Sequence, residues 1–78
     1  MKVTVKVPRL GLTVEDAVVM EWHKKVGDSV AAGEVIGVIE ADKATVELES
    51  PATGTLSEII GKIGETYVVG AALAVLDV

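Results

Sequence analysis

The chain has no cysteine and no phenylalanine, and its 78 residues include one histidine, one tryptophan and one tyrosine. Each shortage closes off a class of function. Without cysteine there is no disulfide framework, no thiolate nucleophile and no thiolate-held zinc. So few aromatic rings cannot build a stacking platform for bases. His23 has no second histidine or cysteine to complete a metal site or a triad, so it reads as a surface residue; no metal and no catalytic residue are expected. Basic charge is also scarce: 7 Lys and Arg face 12 Asp and Glu, a net charge of −5 that repels phosphate backbones and anionic lipid. Neither nucleic acid nor a membrane is an expected partner. No apolar run has the length of a membrane span, and the first residues lack the basic segment, apolar stretch and small-residue site of a secretory signal. The expectation is a cytoplasmic protein, bacterial or archaeal, or one of the mitochondrial matrix.

Valine, by contrast, is abundant. Fifteen residues are of this stiff, β-branched type, which suits pleated strands and is mildly unfavourable in helices. Short alternating runs at Lys2 to Val7, Val18 to Trp22, Val35 to Ile39, Thr45 to Leu48, Leu56 to Ile60 and Leu73 to Val78 read as strands, and the glycines between them interrupt any candidate helix. With almost no aromatic bulk, the core must be interlocking Val, Ile and Leu, which limits it to two closely packed sheets or a flattened barrel. The length allows a single domain over residues 1–78, with no linker or low-complexity tract.

The sequence repeats. Shifted by 37 positions, Val26-Gly27-Asp28-Ser29-Val30 falls on Ile63-Gly64-Glu65-Thr66-Tyr67, Gly33 on Gly70, and Val35 to Glu40 on Ala72 to Asp77. Each half supplies about four strands and could not bury its apolar face alone. The fold class expected is all-β: a flattened barrel or sandwich of two four-stranded antiparallel sheets related by a pseudo-twofold axis. In the second half the chain stops near Asp77-Val78; in the first it turns through Asp42 and Lys43 and continues. That turn and the two chain termini should therefore occupy opposite ends. Gly27, Gly54, Gly64 and Gly70 read as turn residues needing unusual backbone angles, and Trp22 as core or sheet cover.

Glu40-Ala41-Asp42-Lys43-Ala44 lies between two strand-like runs without a glycine, which suits a type I turn. In isolation Lys43 is one more surface lysine on a hairpin. The whole chain, however, resembles the lipoyl domains of 2-oxo acid dehydrogenase acyltransferases. The pattern runs through Pro8 to Glu15, Glu21-Trp22, Lys25 to Val30, Gly33, Ile39 to Ala44, Glu47, Pro51, Gly54 and Gly70, with Gly27 sixteen residues before Lys43 and Gly54 eleven after it. Ala41 departs from the threonine more usual there.

The resemblance implies that Lys43 is acylated on its ε-amine by lipoic acid, held covalently as lipoamide, giving a swinging arm of about ten bonds that reaches on the order of 10 to 15 Å beyond the backbone. It implies a carrier, not an enzyme by itself, within an acyltransferase subunit that continues into further domains. The implied partners are a lipoate ligase or lipoyl transferase, a thiamine-diphosphate-dependent 2-oxo acid decarboxylase, the acyltransferase core and dihydrolipoyl dehydrogenase, the isolated domain being monomeric. Glu40 and Asp42, with Ala44, flank the lysine. Two carboxylates favour the non-nucleophilic ammonium, so they either serve recognition or simply solubilise the surface. Leu10-Gly11-Leu12-Thr13 either helps the decarboxylase identify its carrier, as the equivalent loop does in the family, or folds back over a sheet edge. The Pro8 to Val14 segment looks more like the pyruvate, acetoin or branched-chain types than the 2-oxoglutarate type. A biotin carrier shares the lysine turn but has Met-Lys-Met where this chain has Asp42-Lys43-Ala44. Export-type adaptors insert a long helical hairpin at this turn, and glycine-cleavage carriers are longer with added helices.

Overall fold

The computed structural model describes residues 1–9, 15–41 and 44–78; Leu10 to Val14 and Asp42-Lys43 lie outside the described residues. Eight strands follow in order: β1 (Lys2–Lys6), β2 (Asp16–Trp22), β3 (Ser29–Val30), β4 (Val35–Ala41), β5 (Ala44–Glu49), β6 (Gly54–Ile59), β7 (Thr66–Val68) and β8 (Ala72–Asp77). They form two antiparallel four-stranded sheets, ordered β1-β8-β6-β3 and β5-β4-β2-β7. The six alternating runs seen in the sequence all appear as strands, with ends moved by one or two residues. β3 and β7 are additional, and both are too short to show alternation.

The pseudo-twofold axis extends to individual hydrogen bonds. Gly27 N–H donates to the Leu56 carbonyl at 2.7 Å and Gly64 N–H to the Val19 carbonyl at 2.7 Å, 37 residues apart on both sides. The bulge between Val19 and Glu21 has its twin between Leu56 and Glu58. For β1 and β5 the offset is 43 instead: a groove of about 460 Å³ between these edge strands is lined by Thr4 and Glu47, Val5 and Leu48, Lys6 and Glu49, Pro8 and Pro51. The difference between 43 and 37 measures six extra residues in the β1–β2 connection, the stretch containing Leu10 to Thr13.

Between the sheets lies the expected aliphatic core, with Ile36, Ile39, Leu56, Leu73, Leu76 and Val19 almost completely buried. Trp22 covers one end of it. Its ring lies against the position where a Gly37 side chain would stand, and the indole N–H donates to the Gly61 carbonyl at 2.8 Å, satisfying the one polar atom that such a half-buried ring carries. His23 is exposed and paired with Glu21 at 2.8 Å. Lys24 and Glu34 meet at 2.9 Å, tying the end of β2 to the start of β4; this hydrogen bond lowers the Glu34 carboxyl below its ordinary range.

Four glycines have positive φ: Gly27, Gly33, Gly64 and Gly70. Gly54 does not, which corrects the reading of it as a strained turn residue, while Gly33 joins its twin Gly70. Gly54 instead lies in β6, where an added Cβ would stand 2.5 Å from the Asp77 carbonyl oxygen. Its requirement is close backbone approach, not handedness. The two kinds of glycine should therefore respond differently to alanine. At Gly64, with open space but φ +88, the cost should be about 1 kcal/mol. At Gly54 the backbone must shift, at about 3 kcal/mol. Urea denaturation of the two variants would check this, and equal or reversed losses would contradict it.

Strand pairing also places the ends of the molecule. β4 finishes at Ala41, opposite Ala44; one row back Glu40 pairs with Val18, and Val18 with Thr66. Asp16 opposite Val68 extends the same end of this sheet. From there the chain turns at Gly70, enters β8 at Ala72 and runs away to Asp77, opposite Lys2. At that far end Met1 and Val78 bond each other, the terminal amine donating at 3.1 Å and the Val78 N–H at 2.8 Å. The chain termini and the Ala41–Ala44 pair that ends β4 and begins β5 thus occupy opposite ends; the turn through Asp42 and Lys43 itself lies outside the described residues.

Candidate functional site

The β4–β5 hairpin is built from alternating residues. Ile39 pairs with Val46 and Gly37 with Leu48, an inward row that fixes the register, and the last pair is Ala41 with Ala44. A one-residue slip would turn the inward row to solvent, so the pairing is strongly specified. Two residues, Asp42 and Lys43, separate that last pair in the sequence. Both lie outside the described residues, so the type I turn expected there has no structural counterpart to set beside it. Their flanks are described. Ala41 is buried, 5 % exposed, and holds the end of β4 against the core, whereas Ala44 is exposed. Glu40 is exposed and points to the outer face of the sheet, in register with Thr45.

The burial of Ala41 is a feature sequence reasoning missed. A threonine at this position would place a hydroxyl on a residue that is almost wholly buried.

Leu10, Gly11, Leu12 and Thr13 also lie outside the described residues, but the anchors of their connection do not. Val7 accepts a hydrogen bond from Gly70 N–H at 3.0 Å and donates to the Ala71 carbonyl at 3.0 Å; Val69 N–H donates to the Glu15 carbonyl at 2.9 Å. Three backbone bonds therefore fasten both ends of this connection to the β7–β8 corner. That corner lies at the same end of the body as Ala41 and Ala44. The structure thus brings the flanks of the two sequence-predicted segments to one end, opposite the termini.

Among the described residues no group of three or more His, Asp or Glu is arranged to hold a metal. The described flanks are the paired Ala41 and Ala44, with Glu40 exposed one row back, and the sequence places a lysine between the two alanines. Such a site can present an amine for acylation.

Comparison with known proteins shows the family and the fold. Residues 3–76 match the biotin/lipoyl family model, described as biotin-requiring enzyme. The chain is 44 % identical over 77 residues to the dihydrolipoyllysine-residue succinyltransferase component of the 2-oxoglutarate dehydrogenase complex of Bartonella vinsonii subsp. berkhoffii, covering 99 % of this chain and 19 % of that protein. It is 42 % identical to the dihydrolipoyllysine-residue acetyltransferase component of the acetoin cleaving system of Bacillus subtilis, covering 94 % and 18 %. The chain spans about a fifth of the length of these curated relatives. Because both the 2-oxoglutarate and the acetoin types appear at similar identity, overall similarity does not separate them. The solution structure of the lipoyl domain of the 2-oxoglutarate dehydrogenase complex from Azotobacter vinelandii superposes with a TM-score of 0.72 at 32 % identity, covering 94 % of this chain and 95 % of that one. With near-complete coverage in sequence and structure, the chain belongs to the biotin/lipoyl attachment family and has the fold of a lipoyl domain.

Proposed function

We propose that this chain is a lipoyl carrier domain whose attachment residue is Lys43, serving a 2-oxo acid dehydrogenase complex. The observation that carries this reading is the Ala41–Ala44 pair: it closes the hairpin around two residues, one of them a lysine, at the end of a rigid body farthest from its termini. The residues present fit a covalently attached acyl chain. Lys43 offers the amine, Ala44 leaves its flank uncrowded, and no cysteine anywhere in the chain could form a mixed disulfide with a dithiolane. When attached, the lipoyl group supplies acyl-carrying and two-electron redox chemistry that no side chain here possesses.

The protein's own part is mechanical and electrostatic. β4 and β5 are held in register up to Ala41 and Ala44, the residues that bracket Asp42 and Lys43 in the sequence. The termini at the opposite end allow the body to be tethered without obstructing the arm, and tethering keeps the arm at high effective concentration near several active sites. Glu40 and Asp42 precede Lys43 in the sequence and supply charges by which the modifying enzyme recognises it. The proposed partners are that lipoate ligase or lipoyl transferase, a thiamine-dependent decarboxylase, the acyltransferase core and dihydrolipoyl dehydrogenase.

The family description also names biotin. Asp42-Lys43-Ala44 in place of Met-Lys-Met favours lipoate, as do the dihydrolipoyllysine relatives. Intact mass after incubation with lipoate ligase and, separately, with biotin ligase distinguishes the two. Addition of one lipoyl mass and no biotinyl mass is expected; the converse would replace this reading with a biotin carrier.

A further inference from the structure

The internal repeat supplies its own control. Whatever the scaffold needs at one end of the body it also needs at the other, so residues that differ between equivalent positions answer to something besides folding. On the outer face of β5-β4-β2-β7, near the β4–β5 connection, Asp16 and Val68 form a cross-strand pair beside Val18 and Glu40. The equivalent positions on the other sheet, by the offset of 37, are Thr53, Ala31, Thr55 and Asp77. Farther along β2, Met20 stands where β6 has Ser57, whose hydroxyl donates to the Val75 carbonyl. Both faces keep an acidic residue at the Glu40/Asp77 position, but where one face has Val18, Val68 and Met20 the other has Thr55, Ala31 and Ser57. Val68 is 63 % exposed and Met20 44 %. Exposing these apolar groups brings the fold nothing that alanine, threonine and serine do not supply on the twin face.

We infer that Val68, Val18 and Met20, edged by Asp16 and Glu40, form the docking surface for the ligase that acylates Lys43, an inference that rests on the lipoyl reading above. Reach favours this partner over the decarboxylase. A ligase must bring its active site within one lysine side chain of the backbone, about 6 Å, whereas a decarboxylase meets the far end of an arm on the order of 10 to 15 Å long. β7 lies two strand spacings from β4, about 10 Å, and Val68 is two rows beyond Thr66, which is level with Glu40. An enzyme closing around the lysine therefore overlaps this face. Its surface would present an apolar patch with basic groups set to meet Asp16 and Glu40.

The test grafts the quiet face onto the active one. In D16T/V18T/V68A each replacement already occupies the equivalent place in the other half. With a lipoate ligase, and circular dichroism confirming the fold, kcat/KM for mass addition should fall about tenfold or more, chiefly through KM. The mirror variant A31V/T55V, at the opposite end, should be lipoylated at the parent rate. Should the triple variant not fold, V68A alone, at an exposed site, should show a smaller loss of the same kind. A folded triple variant lipoylated within twofold of the parent rate, or an equal loss in the mirror variant, would overturn the inference. So would unchanged lipoylation with impaired reductive acylation, which would give the face to the decarboxylase. Failure of the parent domain itself to gain mass would instead remove the lipoyl reading.

Discussion

Lys43→Arg is expected to fold like the parent and to accept no lipoyl group under any ligase concentration, a complete loss and not a slowing. Guanidinium stays protonated at any accessible pH and offers no nucleophilic amine, so charge is kept while the chemistry is removed. Mass should be absent from the variant and present on the parent, even though Lys2, Lys6, Lys24, Lys25 and Lys62 remain available. None of those lies at a two-residue hairpin connection: Lys2 and Lys6 belong to β1, Lys24 and Lys25 to the β2–β3 link, and Lys62 to the β6–β7 link. Intact mass and thermal unfolding of the two proteins check the claim. Addition to the variant would show that the ligase reads some other amine.

Leu76→Ala should be the most damaging of the simple core truncations. Leu76 is fully buried in the central strand β8, facing Val3 on β1 and Leu56 on β6, and its repeat twin is Ile39, 1 % exposed. Removing three carbons from a site enclosed by strands on both sides leaves a cavity that the sheets cannot collapse to fill. The expected loss is about 3 kcal/mol. Small domains have total stability at the low end of about 5 to 15 kcal/mol, so most of the folding free energy would go. Urea denaturation should show a much lower midpoint with unchanged slope. Val26→Ala, at a position 60 % exposed, should leave the midpoint nearly unchanged. A similar midpoint for both variants would mean that the core is not where the burial places it.

The fold was legible in the sequence because two independent signals agreed. Alternation marked six strands, and the 37-residue repeat supplied the symmetry that arranges them into two sheets. β3 and β7 escaped because two or three residues carry no period. The kinship of β1 with β5 escaped as well, since six extra residues between β1 and β2 shift the offset from 37 to 43. Gly54 was misread because close approach to Asp77 and a left-handed turn both select glycine, and composition cannot tell one cause from the other.

The site was legible in a different way. Nothing in periodicity or charge separates Lys43 from other exposed lysines; its spacing from Gly27 and Gly54 carries weight only through resemblance to a family. The burial of Ala41 and the apolar outer face around Val68 are tertiary facts. For Val68 a signal did exist: its repeat partner Ala31 is smaller, and the comparison becomes informative once the two are known to occupy equivalent outer positions.

The most direct measurement is reductive acylation of the lipoylated domain by thiamine-dependent 2-oxo acid decarboxylases, each supplied with its own 2-oxo acid, with free lipoamide compared at the same concentration. Because the scaffold is held to present the arm to a particular enzyme, one decarboxylase should acylate the domain with a kcat/KM at least about a hundredfold above that for free lipoamide, and unfolding the domain should abolish the advantage. If every decarboxylase used the domain no better than free lipoamide, the carrier account would be contradicted.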